Sequence, residues 1–284
     1  MSKNSTDQNY KPISVGIVIS TYNNPEWLKK TLWGYTTQSH SAFELIIADD
    51  GSDNRTRELV ESFKKDYFPD IKHVWHADEG FRKCKILNEA LIVAESEYLI
   101  FTDQDCIPRK DFIETHLKYA QKGYFLSGGY SRLPMDLSKS ISFDDITSGN
   151  AFNLDWLKTH GLKSSFKNTK FTKSSSFASF MNFITPAKAS WNGCNSSGWK
   201  EDMLAINGFN EAMQYGGLDR EFGERLVNFG IRSKQIRYSA ICLHLDHARP
   251  YKKIDLIKKN KAIRRNVRVN KIVKTPFGIE KIEE

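Results

Sequence analysis

Three short apolar runs in the first third of the chain each break off into a polar cluster. Residues 13–20 (ISVGIVIS) lead into Thr21-Tyr22-Asn23, residues 43–48 (FELIIA) into Asp49-Asp50-Gly51-Ser52, and residues 98–102 (YLIFT) into Asp103-Gln104-Asp105. Runs this short and this rich in β-branched residues read as strands buried on both faces, the pattern of a parallel sheet. Helical segments separate them. Asn24-Pro25 supplies an N-cap and an N1 proline to a helix with Leu28, Leu32 and Tyr35 on one face. A second helix turns Leu59, Val60 and Phe63 inward, a short strand covers residues 73–75, and residues 83–94 read as a third helix. Strands alternating with helices predict an α/β fold on a mostly parallel sheet. Ligands of such sheets bind beyond the carboxyl ends of the strands. All three polar clusters fall at those ends, which points to a nucleotide site.

Beyond residue 127 the pattern loosens. One helix is expected near residues 152–160, while residues 163–176 (KSSFKNTKFTKSSS) carry too little apolar content to pack and read as a mobile loop. A strand is expected near residues 178–184. Gly216-Gly217 then opens a helix with Phe222, Leu226 and Phe229 inward, and a last strand at residues 240–245 runs into His244-Leu245-Asp246-His247. The expected organisation is a nucleotide-binding half at 1–130, a second half of the same domain at 131–250, and a basic tail at 251–284.

No apolar run approaches the roughly 20 residues that cross a bilayer, and residues 1–12 lack the apolar core of a signal peptide. The four cysteines are scattered without metal spacing and read as reduced thiols. A cytoplasmic location is the expectation, with peripheral attachment at the inner face of the cytoplasmic membrane as an option. The formal net charge is +8, and residues 249–274 hold a single acid, Asp255. Ile254, Leu256, Ile257, Ile263 and Val267 recur there at mostly helical spacing. Such a helix either packs on the domain with its charge outward or lies on an anionic membrane surface. Nucleic acid is a poor partner, because aromatic residues for base stacking are nearly absent from it.

The clusters also carry chemistry. Asp103-x-Asp105 suits a divalent cation that neutralises a diphosphate while keeping positions open, although the same spacing occurs in ordinary turns. Asp50 suits the imide N–H of uracil, and otherwise caps a turn. Gly80-Phe81-Arg82-Lys83-Cys84-Lys85 opens a helix, where backbone donors together with Arg82 and Lys85 suit a diphosphate. Asp219 and Glu221 follow Gly216-Gly217 two residues apart and so on different faces: one suits a general base and the other structural contacts, while acids at a helix start equally serve the helix dipole alone. His244 or His247 suits a metal ligand beside the acids, although a lone histidine at a strand end is commonly structural. Residues 191–199 (WNGCNSSGW) combine indoles with Asn and Ser. Trp191, Asn192 and Trp199 therefore suit a saccharide, the indoles serving equally as core residues.

Taken together, residues 14–23 (SVGIVISTYN), 44–52 (ELIIADDGS), 80–90 (GFRKCKILNEA) and 98–108 (YLIFTDQDCIP) resemble family 2 glycosyltransferases of the GT-A fold. Residues 207–226 with 242–247 look like the galactosyltransferase-type region shared by β-1,4-galactosyltransferases and bacterial chondroitin-polymerase-like enzymes. The resemblance implies a metal-dependent, inverting transfer of a hexose or N-acetylhexosamine, of galactose type by preference, from a UDP-sugar to a glycan or lipid-linked saccharide in surface polysaccharide or lipopolysaccharide synthesis. It implies Tyr22 and Asp50 at uracil, Arg82 near the diphosphate, and Asp103 at ribose or metal. Ser20 and Lys85 complete the donor contacts. Asp105 and His244 would ligate Mn2+ or Mg2+, and Asp219 would be the base. Leu218 stands where the family commonly has Glu. A nucleotidyltransferase would need a glycine-rich loop after the first strand, where this chain has Ser20-Thr21-Tyr22-Asn23. A non-catalytic carbohydrate-binding protein would not need the metal and base acids together.

Overall fold

The computed structural model describes residues 12–248 and 253–281. The chain runs β1 (Val15–Thr21), α1 (Pro25–Thr36), β2 (Glu44–Asp49), α2 (Asn54–Asp66), β3 (Lys72–Trp75), α3 (Lys83–Val93) and β4 (Tyr98–Asp103). It continues through β5 (Cys106–Pro108), α4 (Phe112–Tyr119), β6 (Tyr124–Ser127), β7 (Gly129–Arg132), α5 (Met135–Ser140), α6 (Phe143–Thr147) and α7 (Leu154–Thr159). The remainder is α8 (Ser175–Ile184), β8 (Ser196–Trp199), α9 (Lys200–Ala205), α10 (Leu218–Asn228), β9 (Arg232–Gln235), β10 (Ile241–His244) and α11 (Ile254–Val269).

A seven-stranded sheet has the order β3-β2-β1-β4-β8-β6-β9. Only β8 is antiparallel to its neighbours, so the sheet is mostly parallel, as the alternation predicts. It is buried on both faces. Ile17 and Ile19 of β1 meet Leu28 and Leu32 of α1 and Phe63 of α2, whereas Val18 turns to Leu87 and Leu91 of α3. Each such aliphatic side chain, fully withdrawn from water, contributes about 1.5–3 kcal/mol. A second sheet, β5-β10-β7, pairs Cys106 with His244 and so brings the last strand beside the Asp103–Asp105 turn.

Two expectations about the middle of the chain are corrected. Residues 178–184 are helical, within α8. Ser174 caps its first turn by accepting the Phe177 N–H (3.2 Å), and the buried residues Ala178 and Met181 stand three apart, a helical rather than a strand interval. The strand in this region is β8, in the polar 191–199 segment. A serine-rich strand is tolerated in the sheet centre because its hydroxyls are bonded. Ser196 Oγ accepts the Asn192 N–H at 2.8 Å, and Ser197 Oγ lies 2.7 Å from both Tyr98 Oη and His116 Nδ1. The segment 163–176, expected as a loop without packing, contains a 3-10 helix (Phe166–Phe171) with Asn168 and Phe171 buried.

The basic tail is not a separate unit. α11 lies against α10, where Arg264 and Arg268 both pair with Glu224 (2.6 and 2.8 Å) and Val267 is buried. Beyond it, Asn207 Nδ2 donates to the carbonyls of Thr275 and Glu280, each at 2.8 Å. The readings of residues 1–11 and of the tail's start at 249–252 lie outside the described residues. Among the described residues no helix is long and apolar enough to cross a membrane. All four cysteines are free and buried.

Candidate active site

The ladder of the central sheet aligns the polar clusters at its carboxyl edge, with Ser20 opposite Asp103 and Thr21 opposite Asp49. Ser20 Oγ donates to Asp103 Oδ1 at 2.7 Å, and Lys83 Nζ reaches the same oxygen at 2.5 Å. Gln104 ties the turn to the end of β1. Its side chain accepts from the Thr21 hydroxyl (2.5 Å) and the Tyr22 N–H (3.1 Å), and its carbonyl accepts from the Thr31 hydroxyl (2.7 Å).

Asp105 is buried at the junction of the two sheets. Its Oδ2 lies 2.9 Å from His247 Nε2 and 3.9 Å from His244 Nδ1. Burial pushes this carboxyl up, but the His247 hydrogen bond and the two nearby imidazoles outweigh it and hold it below the usual range. Ligand atoms of Asp105, Cys106 and His244 lie within 4.8 Å of one another. Burial raises the Cys106 thiol well above its ordinary value, and the hard cations that suit a diphosphate favour oxygen donors over sulfur. The carboxylate and imidazoles remain. This mixed oxygen and nitrogen set fits a divalent metal ion. Of the two histidines, His244 faces Cys106 across the ladder, and His247 stands closer to Asp105.

Asp49 and Asp50 divide their roles. Asp49, buried, bonds His73 Nε2 (2.9 Å) and accepts the Ser52 N–H (2.8 Å), so it holds the turn. Asp50 lies 2.9 Å from His76 Nε2 and accepts the Arg82 N–H at 3.0 Å. Burial raises its carboxyl, while His76 and the Arg82 N–H pull it back. Its oxygens keep lone pairs beyond these two bonds. Tyr22, exposed, donates its hydroxyl to Asp78 at 2.9 Å.

The basic residues opening α3 sort by helical phase. The Arg82 side chain pairs with Glu79, and Lys85 lies 3.8 Å from Glu89 one turn on. Lys83, not singled out from the sequence, is the one that reaches Asp103. The signal was present: Lys83 shares its helix face with the buried residues Ile86, Leu87 and Ala90, which pack toward the sheet.

Asp219 enters the site at the start of α10, after Gly216 (φ 108°) and Gly217 (φ 92°), whose left-handed backbone glycine adopts without strain. Its Oδ1 is sealed from solvent and has no hydrogen-bond partner. A Cβ on Gly193 would sit 2.7 Å from that oxygen, so a glycine there permits the approach. Burial raises the Asp219 carboxyl and Asp103 adds to this. Lys83 and the N–H groups of Gly193 and Asp219 oppose it, and the net direction is upward. Glu221, two residues on, is a buried partner of Arg225 (2.8 and 3.1 Å), and Arg225 also donates to the carbonyls of Ile206 and Gly208.

The saccharide-stacking residues fall elsewhere. Trp191 is buried between Phe101, Phe125 and Phe222, and Trp199 is buried edge-on to Tyr98 with its indole N–H donated to Gln121. Neither indole presents a face to a ligand, because the reversed strand β8 draws this segment into the sheet. Asn192 stays half-buried and donates to the Asn195 carbonyl at 3.0 Å.

Comparison with known proteins matches this architecture. The family model described as glycosyl transferase family 2 covers residues 16–171, and one described as the N-terminal domain of galactosyltransferase covers residues 172–248. The chain is 26% identical to chondroitin synthase of Escherichia coli over 76% of its own length and 32% of that enzyme. It is 28% identical to a glycosyltransferase named for teichuronic acid biosynthesis in Bacillus subtilis (strain 168), over 48% of this chain and 58% of that one. The chain thus spans less than two thirds of either relative. A mannosyltransferase from Pyrobaculum calidifontis, solved in complex with GDP-Man and Mn2+, superposes with a TM-score of 0.57 at 18% identity, covering 92% of this chain and 63% of that one. With the fold shared and the family model spanning more than half of the sequence, the chain belongs to glycosyl transferase family 2.

Proposed function

We propose that the protein is an inverting glycosyltransferase that transfers a hexose or N-acetylhexosamine, of galactose type by preference, from a UDP-sugar to a glycan or lipid-linked saccharide in surface polysaccharide synthesis. The observation that carries this reading is Asp219: a buried carboxylate oxygen without a partner, at the edge where Lys83 and Asp103 meet. A carboxyl raised by burial beside a cation is suited to accept a proton. Asp219 takes the acceptor hydroxyl proton as that oxygen bonds the anomeric carbon. The bond from carbon to the phosphate oxygen breaks, and its electron pair leaves with UDP. Inversion of an α-linked donor makes a β-linked product.

Asp50 and Tyr22 hold uracil, Ser20 and Asp103 the ribose side, and Lys83, Arg82 and Lys85 bring cationic charge to the diphosphate. Asp105 with His244 or His247 would hold Mn2+, which supplies charge neutralisation for the departing diphosphate. Leu218 is buried in the core, so this position brings no carboxylate to the sugar hydroxyls. The relatives named for polysaccharide synthesis and the neighbour bound to GDP-Man and Mn2+ support the class of reaction.

The test is a panel of UDP-sugars and GDP-mannose assayed for nucleotide release with Mn2+, Mg2+ or EDTA. Release from one UDP-sugar with Mn2+, abolished by EDTA and by Asp105→Ala, is expected. Turnover that survives EDTA removes the metal, and turnover with GDP-mannose alone removes the uridine assignment.

A further inference from the structure

We propose that α8, rather than the basic C-terminal helix, forms a docking face for an anionic lipid surface. α8 rests on the domain through one side only: Ala178 and Met181 pack on Tyr238, and Asn182 bonds the Tyr238 N–H and the Ser239 hydroxyl, each at 2.8 Å. On the neighbouring arc Phe177, Phe180, Phe183 and Ile184 are 40, 57, 88 and 48% exposed. Their helical spacing puts them on one contiguous stripe. Clustered aromatic and aliphatic side chains left in water mark an interaction surface, whereas single exposed residues need no explanation.

Charge selects the partner. From Trp156 to Lys200 the chain holds seven lysines and no Asp or Glu. Lys173 and Lys188, both exposed, flank α8 at its two ends, and the exposed Lys167 follows Phe166, itself 71% exposed in the preceding 3-10 helix. Two further lysines, Lys118 and Lys234, lie near Tyr119, whose hydroxyl is 3.4 Å from Ser179 Oγ in α8. An apolar stripe bordered by lysines is the composition that inserts at the interface of an anionic bilayer. A protein partner of ordinary surface would leave these lysines without matched charge.

α11 has the charge but not the face. Ile257 lies against Gly216, Ile263 packs into the core and Val267 is buried, leaving only the terminal Ile254 and Val269 exposed. Its lysines add a general attraction without an insertion site.

The inference stands apart from the transfer chemistry, and binding is measured without turnover. The probe is co-sedimentation of the full chain with phosphatidylcholine vesicles and with vesicles holding about one third phosphatidylglycerol. Binding to the anionic vesicles alone is expected. It should fall by roughly tenfold or more in Phe180→Ser/Phe183→Ser/Ile184→Ser and by several-fold in Lys173→Gln/Lys188→Gln. Lys258→Gln/Lys261→Gln/Arg265→Gln should keep most of it. The substituted side chains are exposed, so thermal unfolding should be unchanged, and that is checked on each variant. No binding by the parent chain overturns the proposal, as does loss confined to the α11 variant. So does a parent chain that is a dimer in solution and becomes a monomer on serine substitution, since a second copy would then cover the stripe.

Discussion

A carboxylate oxygen without a partner and a carboxylate held by an arginine stand two residues apart at the start of α10. Asp219→Asn removes the charge that burial disfavours, so it should leave thermal stability equal or higher while kcat falls by roughly 10²-fold or more, with UDP affinity nearly unchanged. Glu221→Gln breaks a buried pair with Arg225 and should cost about 3–5 kcal/mol of stability. Urea unfolding and steady-state kinetics on both variants separate the two roles, and normal turnover by Asp219→Asn would mean the base is another residue. Lys83 is tested through its neighbour. It lowers the Asp219 carboxyl against burial and Asp103. Lys83→Met therefore raises that carboxyl further, and the acidic limb of the kcat/KM profile moves to higher pH, because the base stays protonated over a wider range. An unmoved limb would detach Lys83 from Asp219.

At the scale of elements, the loop that presents Asp219 is held from behind by α11. Asn260, buried, donates its side-chain amide to the carbonyls of Gln214, Tyr215 and Gly216 at 2.9, 3.2 and 3.1 Å. Ile257 and Arg264 border Gly216 and Gly217, where an added Cβ would meet them at 3.0 and 3.2 Å. A loop with two left-handed glycines has little stiffness of its own, so its position is set by these contacts. Asn260→Ala should cost about 2 kcal/mol of stability and lower kcat by roughly tenfold, with the donor KM little changed. Equal kcat in parent and variant would show that the loop keeps its position without α11. The helical spacing of residues 254–267 was legible in the sequence. That its buried face holds the loop before Asp219 was not, since the three carbonyls lie more than forty residues away in the chain.

At the scale of the whole molecule, one buried histidine links stability to pH. His116 lies 2.9 Å from Asn195 Oδ1 and 2.7 Å from Ser197 Oγ, joining α4 to β8, and burial pushes its ring down to about 4. Below pH of about 6.5 the unfolded chain takes up a proton that the folded chain refuses until about pH 4. Stability therefore falls as pH drops through that window, by about 1.4 kcal/mol per unit and about 3 kcal/mol in all. Urea unfolding at pH 7 and 4.5 should show this loss in the parent chain. His116→Leu should show much less of it from a lower starting stability, and an equal slope in both would place the titration elsewhere.

The runs at β1, β2 and β4 were legible because a strand buried on both faces must be apolar at every position, and no distant partner is needed to see that. The placing of Ser20, Asp50, Asp103 and Asp105 at one edge followed, since parallel strands end on the same side. Trp191 and Trp199 read equally as sugar platforms or as core residues, and are buried. The aromatic run in α8 read as a strand and is a helix with its apolar stripe in water. Lys83 was passed over for Arg82 and Lys85, while between His244 and His247 the sequence left the choice open, and His247 approaches Asp105 more closely. In each case composition states what a side chain can do, while its partner is chosen by chain far away in sequence. The paired sheets bring His247 to Asp105, Tyr98 and His116 satisfy the hydroxyl of Ser197 in β8, and α10 with the loop before it turns the apolar stripe of α11 inward.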